Sequence, residues 1–407
     1  MEFKDIIPFK GIYFNEKKIK NLDKVFCPIY DLISSEREKF YKKASKYNVI
    51  NLILRKPPTH NEYKKARELV KEWLDKNILI KEKEDKIYPL EIEYSKKRLK
   101  GFFALLNVKP FKTKIYAHEK THTFPIKDRF LLLKSTQFNF CSIFLASLNK
   151  NLIIKDFFEK NIKKFDRILC VQDNFKNKFK LFSLKVDSTV EDFLFSLKEF
   201  LIADGHHRFK VALNYADYLN KKNSEFSKSA QYILAFFTDF FQEGLYLGTF
   251  HRIIRLNLKD EDFFKRLENY FKIKKMSSVK KFLNNSRNQN SLKIGLVTAN
   301  KKCILEPTER IRKKEFKDFE VLFLHEFLFK KVLNLNLKEQ DIIYTPSAEE
   351  AISKIDSHTK SFLLRPFKKE KVLKIVKRNK LFPQKSTYFY PKLLTGLVMR
   401  DLRDGII

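Results

Sequence analysis

An α+β fold, with mixed sheets and flanking helices, is what this 407-residue sequence predicts. Three observations lead there. Apolar runs of strand length, such as Ile87–Tyr94, Cys141–Leu148 and Tyr232–Phe237, alternate with segments of helical spacing, such as 60–76. Residues 199–213 set the two kinds side by side: Phe200–Ala203 reads as a buried strand, Asp204-Gly205 as a turn, and Val211, Ala212, Tyr215 and Leu219 recur at helical spacing. Hydrophobic residues make up 43% of the chain, with only 8 glycines and 12 prolines, so a large core is available and long flexible linkers are not.

The elements follow in order. Val25–Ile33 is an apolar run broken by Pro28, and Ser34-Ser35-Glu36 cap a helix to about Tyr41. Tyr47–Leu54 reads as a strand. Residues 60–76 form an amphipathic helix with Tyr63, Ala66, Leu69, Val70, Trp73 and Leu74 on one face. Ile87–Tyr94 and Gly101–Val108 suggest paired strands joined by a basic loop. Asp128-Arg129 open a helix through Phe138, and Cys141–Leu148, Phe165–Val171 and Leu181–Val186 are strand-like. Asp192–Leu197 is a short helix before the central motif. Beyond the very apolar strand Tyr232–Phe237, a helix at 260–271, strands at 292–298 and 302–306 and a helix at 318–331 outline a small α/β lobe, with 274–290 as a polar connection. Strand, helix and strand between Tyr344 and Leu364 and a helix at 368–378 follow. The expected division is a main domain at 1–257, a smaller lobe at 258–345 and a C-terminal segment at 346–407 that returns to the main site.

Three stretches carry chemistry. At 204–208 a helix begins behind a glycine, where N–H groups without partners and the positive end of the helix dipole favour an anion. Gly205 lets it approach the backbone, and His206, His207 and Arg208 add donors. At 118–122, His-Glu-Lys-Thr-His spells the zinc-protease pattern H-E-x-x-H, which makes a zinc hydrolase one reading. The context opposes it: Thr121 and Thr123 are poor helix formers, Pro125 stops the helix, and no third ligand lies close by. Glu119 and Lys120 are otherwise a carboxylate and a cation on a loop, fit for phosphoryl transfer or for a surface ion pair. At 383–396, Lys385 precedes Ser386, Thr387 and Tyr388, with Lys392 beyond; these donors suit an oxyanion, or the turn buttresses the core.

The formal charge is +35, from 84 basic and 49 acidic residues, which raises a nucleic-acid partner. The excess is mostly dispersed lysine in a chain rich in Phe, Asn and Ile, as an AT-rich genome would leave, so a dedicated nucleic-acid function is not favoured. Cys27, Cys141, Cys170 and Cys303 form no Cys-x-x-Cys pair, and reduced thiols in the cytoplasm are expected. No apolar stretch reaches the roughly 20 residues that span a membrane, and the start has no signal-peptide core.

Ile202-Ala203-Asp204-Gly205-His206-His207-Arg208-Phe209 resembles the signature of the bacterial and archaeal domain of unknown function 1015 family. Other stretches extend the likeness: Pro28-Ile29-Tyr30-Asp31 before a Ser-capped helix, His118–Thr121 followed by Asp128-Arg129, Thr249-Phe250-His251-Arg252, and the 383–396 stretch. More distantly, the central motif is similar to the Gly-x-His-Arg segment of the ParB/sulfiredoxin superfamily, which includes a CTPase, sulfiredoxin and free-serine kinases. The resemblance implies a ParB/sulfiredoxin-like core and a nucleotide-dependent phosphotransferase acting on a small hydroxyl-bearing metabolite. ADP or ATP with Mg2+ is the expected cofactor. Glu119, Asp31 and Asp204 are the candidate catalytic carboxylates. Gly205, His206, His207, Arg208, Lys120, Lys385, Ser386, Thr387 and Lys392 would bind phosphate, and Tyr30, Arg129, Tyr388, His251 and Arg252 substrate. A turn or cap acid is the structural alternative for Asp31, and a core or edge histidine for His251. The functional alternative is a ParB-like nucleotide-binding or nucleic-acid-associated protein.

Overall fold

A computed structural model describes residues 4–119, 123–284, 292–312, 320–338, 341–378, 382–383 and 385–405. The chain forms two compact units. The first comprises Met1–Ala117, Thr121–Tyr246 and Pro391–Ile407, the second His118–Lys120 and Leu247–Tyr390. Both are mixtures of sheet and helix, the α+β class that the alternating patterns predict.

The first unit is built on a mixed sheet, nine-stranded among the described residues. Its strands are β1 (Ile6–Ile7), β2 (Lys86–Tyr94), β3 (Lys97–Asn107), β4 (Lys114–Tyr116), β5 (Ile143–Ser147), β6 (Asp166–Gln172), β7 (Lys178–Lys185), β8 (Glu199–Asp204) and β9 (Tyr232–Asp239). They run in the order β4-β8-β5-β9-β3-β2-β7-β6, with β1 added on β3. Strand β9 is buried along its whole length because it has a neighbour on each side, parallel β5 and antiparallel β3. Its Phe237 ring meets Phe102 and Phe200, each at 5.1 Å between centroids. The expected basic loop between β2 and β3 contracts to a two-residue turn: Ser95 and Lys96 both take left-handed backbone, and Tyr94 pairs with Lys97.

Helices complete this unit. They include α1 (Ser35–Ala44), α2 (Ile50–Ile53), α3 (His60–Asp75), α4 (Thr123–Thr136), α5 (Ile153–Asn161), α6 (Ser188–Ser196) and α7 (His206–Lys221). Ser34, Thr59 and Asp187 cap α1, α3 and α6 by accepting a backbone N–H in the first turn. Trp73 on α3 is 1% exposed, packed on the rings of Phe14 and Tyr47. The strand expected at 47–54 is instead a buried helical turn. Asn48 causes this: its side chain donates to the carbonyls of Lys24 and Phe26 and accepts from the Ile50 N–H. Helix α4 starts earlier than Asp128, with Pro125 in its first turn, where a missing N–H is tolerated.

The second unit holds a sheet of six strands among the described residues: β10 (His251–Arg255), β11 (Phe271–Lys275), β12 (Ile294–Val297), β13 (Lys302–Pro307), β14 (Ile342–Thr345) and β15 (Thr359–Leu363). Their order is β11-β13-β12-β15-β10-β14, and every described pairing is antiparallel. Because β10 lies between β14 and β15, the boundary falls near residue 247 rather than 257, and the lobe runs on to Tyr390. The polar connection expected at 274–290 contributes the end of β11 and a helix at Val279–Asn284. Phe323–Val332 winds as a π-helix. Thr387–Tyr390, expected as loop, is a strand.

Candidate functional site

In the first unit the site grows from the end of β8. The register with β5 slips between Ile202 and Asp204, a bulge that ends the strand at Asp204. Gly205 then takes φ +96° and no side chain caps the 16-residue helix α7. A Cβ at Gly205 would come 3.0 Å from Ile143 and 3.1 Å from the Arg208 guanidinium, so both backbone and space call for glycine. Arg208, one turn on, donates from Nη2 to Asp204 Oδ1 at 2.7 Å and from Nη1 to Cys141 Sγ at 2.9 Å and to the Ser142 carbonyl. Lys392, from the C-terminal segment, donates to Asp204 Oδ2 at 2.5 Å.

Burial opposes the charge on Asp204, but the Lys392 ammonium and the Arg208 guanidinium overcome it and hold the carboxyl well below its ordinary range. His206 acts in the same direction. Burial pushes the Cys141 thiol up, against the pull of Arg208. Tyr30 and Asp31 belong to this unit, on the short 3-10 turn Tyr30–Leu32, and Asp31 is exposed. The Arg129 guanidinium lies 4.4 Å from the Tyr30 ring centre. Arg129 also binds Asp128 through Nε and Nη2, and Nη2 reaches the Tyr63 hydroxyl at 3.3 Å. Tyr63 donates to Asp128 at 2.7 Å.

In the second unit Glu119 sits beside the Lys385–Thr387 turn. Its Oε1 accepts from Ser386 N–H at 3.2 Å, Thr387 N–H at 3.0 Å and the Thr387 hydroxyl at 2.8 Å. His118 Nε2 is 2.6 Å from the Thr387 oxygen. With the Thr387 proton given to Glu119, that oxygen accepts from Nε2–H. Ser386 is buried and its hydroxyl donates to the Pro383 carbonyl at 2.5 Å. These contacts correct two expectations: Glu119 anchors the turn, and the hydroxyls of Ser386 and Thr387 are spent inside the protein. Lys385 takes φ +51°, with its ammonium 5.6 Å from the Phe250 ring centre. Tyr388 packs edge-on against the same ring at 5.5 Å.

The anion-binding surface expected at His251 and Arg252 is not formed. Arg252 is 0% exposed and donates to the carbonyls of Phe250 and Lys385 and to His325 Nε2. Burial pulls its pKa down to about 10. His251 accepts the Leu364 N–H at its Nδ1, and burial lowers its pKa to about 4.

The expected residues thus sort into two clusters, one per unit. Tyr30, Asp31, Arg129, Asp204, Gly205, His206, His207, Arg208 and Lys392 belong to the first; Glu119, Lys385, Ser386, Thr387, Tyr388, His251 and Arg252 belong to the second. Lys120 and His122 lie outside the described residues. Among the described residues no group of three or more His, Cys, Asp and Glu is placed to hold a metal ion, and no helix is long and apolar enough to cross a membrane. Sequence reasoning missed Cys141 as a partner of Arg208 and Thr395 as a partner of Cys141: one lies in a run legible only as strand, and the other is an unremarked hydroxyl within 383–396.

No curated protein matches the chain. Among solved structures it is similar to a conserved hypothetical protein from Pyrococcus furiosus, at 15% identity and TM-score 0.38, over 74% of this chain and 96% of that one. A free serine kinase variant in complex with ADP aligns at 14% identity and TM-score 0.37, over 72% and 92%. SbnI from Staphylococcus aureus, with a C-terminal truncation, aligns at 10% identity and TM-score 0.40, over 72% and 87%. The profile of a protein family of unknown function matches residues 6–325, a span that contains the β8–α7 joint and all but the first 5 and the last 82 residues. By that match the chain belongs to the DUF1015 family.

Proposed function

We propose that the protein transfers the terminal phosphoryl group of ADP or ATP to the hydroxyl of a small metabolite. The phosphates would lie on the first turn of α7, where the backbone N–H groups of a long, uncapped helix face Gly205. That helix start is the observation that carries the reading. Arg208 and Lys392 supply positive charge around it and the imidazoles of His206 and His207 add hydrogen-bonding groups, and phosphoryl transfer depends chiefly on positioning and charge neutralisation. Asp31 is the proposed base. It is an exposed carboxylate of the same unit, and its charge acts on Arg208, Tyr30 and Cys141. Glu119, with Oε1 holding three donors of the 386–387 turn, is left a structural role. Magnesium would be held chiefly by the phosphates that it accompanies.

The free serine kinase structure named above is a complex with ADP, and a second one is a complex with AMP, which names the nucleotides to try first. The test is a thermal shift with ADP, ATP, AMP and CTP, each with magnesium, followed by detection of a phosphomonoester by phosphorus NMR. A ligand at 100 times its Kd stabilises the fold by about 2.7 kcal/mol, a clear rise in Tm. ADP or ATP should give that rise, and Gly205→Ala should remove it. No rise with any nucleotide sinks the reading.

A further inference from the structure

A pocket of about 60 Å³ lies within the first unit beside the start of α7. Two guanidiniums line it, Arg129 and Arg208, with Tyr30 and Thr395. The rest of the wall is largely apolar and includes Phe140 and Ala212. No aspartate or glutamate is among the lining residues. Arg208 belongs to two places at once: it stands in the first turn of α7, and it forms part of the pocket wall.

Size decides what can enter. A single water needs about 10–15 Å³ on this measure, so the pocket holds roughly four to six waters, room for about seven bonded non-hydrogen atoms. A nucleotide is far too large, and a three-carbon acid fits. Charge then narrows the class. Arg129 spends Nε and Nη2 on Asp128 and Tyr63, which leaves Nη1 for a ligand. A carboxylate beside two guanidiniums gains charge-assisted hydrogen bonds. Asp128 and Asp204, the carboxylates paired with these guanidiniums, are not among the lining residues, so an ammonium in the same space meets guanidinium donors and no lining carboxylate.

We propose that this pocket is the acceptor site, and that the acceptor is a small hydroxy carboxylate without an amino group. The proposal rests on the phosphotransferase reading above. The acceptor's hydroxyl oxygen attacks the terminal phosphorus of ADP or ATP and forms a new P–O bond. The bond from that phosphorus to its bridging oxygen breaks, and the electron pair leaves on AMP or ADP. The hydroxyl proton passes to the Asp31 carboxylate and then to water. Arg129 binds the acceptor's carboxylate, and the apolar wall covers its carbons.

Glycerate and L-serine make the sharpest pair of probes, because a hydroxyl replaces an ammonium and little else changes. With nucleotide and magnesium, the KM for glycerate should lie at least tenfold below that for L-serine. Arg129→Gln should raise the glycerate KM tenfold or more with kcat within threefold, and leave the Tm rise with ADP unchanged. Ala212→Leu, which fills the pocket with apolar bulk, should raise the same KM and spare the same Tm rise. Equal KM values for glycerate and serine overturn the proposal, as does a glycerate KM unmoved by Ala212→Leu. Calorimetry of glycerate on the nucleotide-free protein separates the two ideas. Heat of binding without any Tm rise from nucleotides would keep the pocket and remove the kinase; no heat, with the Tm rise present, would do the reverse.

Discussion

Gly205 is the residue at which backbone geometry and ligand chemistry converge. An alanine there would be held at φ +96° with its Cβ 3.0–3.1 Å from Ile143 and Arg208. Left-handed backbone costs a non-glycine residue about 1–3 kcal/mol. Gly205→Ala should therefore lower the urea midpoint by a corresponding amount, besides displacing Arg208. The buried imidazoles of the second unit give a different prediction. Burial lowers His251 to about 4 and His325 to about 3, and Arg252 beside both pushes the same way. For His251 the facing Glu349 opposes it; for His325 the nearby Lys330 reinforces it. A depressed histidine binds protons less well folded than unfolded. The stability it contributes is complete above about pH 6.5 and is lost as pH falls toward 4, by about 3 kcal/mol for His251 alone. Imidazole NMR signals of both residues should stay in the neutral form at pH 5. A titration of either near 6.5 contradicts the buried placement.

At the scale of elements, α7 is held at its start by a residue 188 positions away, Lys392. Lys392→Ala leaves Asp204 buried with one cation instead of two and should cost about 1–3 kcal/mol. Asp204 is depressed, so its contribution is present above its unfolded pKa and fades as pH falls through the folded value. Removing Lys392 raises the folded value, so acid unfolding should begin at higher pH, which circular dichroism across pH 2–6 would follow. The β8–α7 joint itself was legible in the sequence, because an apolar run, Asp-Gly and helical spacing are all local signals. What escaped was set at a distance. Asn48 turns an apolar run into a helix through bonds to Lys24 and Phe26. Strand β11 is an edge strand whose exposed residues are lysines, so its end, Lys274-Lys275, read as part of a polar connection. Glu119 looked like a free carboxylate because its three partners lie some 267 residues further on. The division of the 383–396 stretch between units, with Lys385–Thr387 in one and Lys392 in the other, left no mark on composition.

For the whole molecule, the charge of +35 is the property that invites a second function. Dispersed lysines attract phosphate backbones only through counterion release, which weakens steeply with salt. A fluorescent single-stranded oligonucleotide should bind at 50 mM salt and lose at least tenfold in affinity by 200 mM. Affinity that survives this change would favour the nucleic-acid-associated alternative over the kinase. The two units also differ in how they can be watched. The single tryptophan of the sequence, Trp73, is packed against Phe14 and Tyr47 in the first unit. Excitation at 295 nm therefore listens to one half of the protein only. A red shift of that emission dates the opening of the half that carries the helix start, while the half that carries Glu119 can melt unseen.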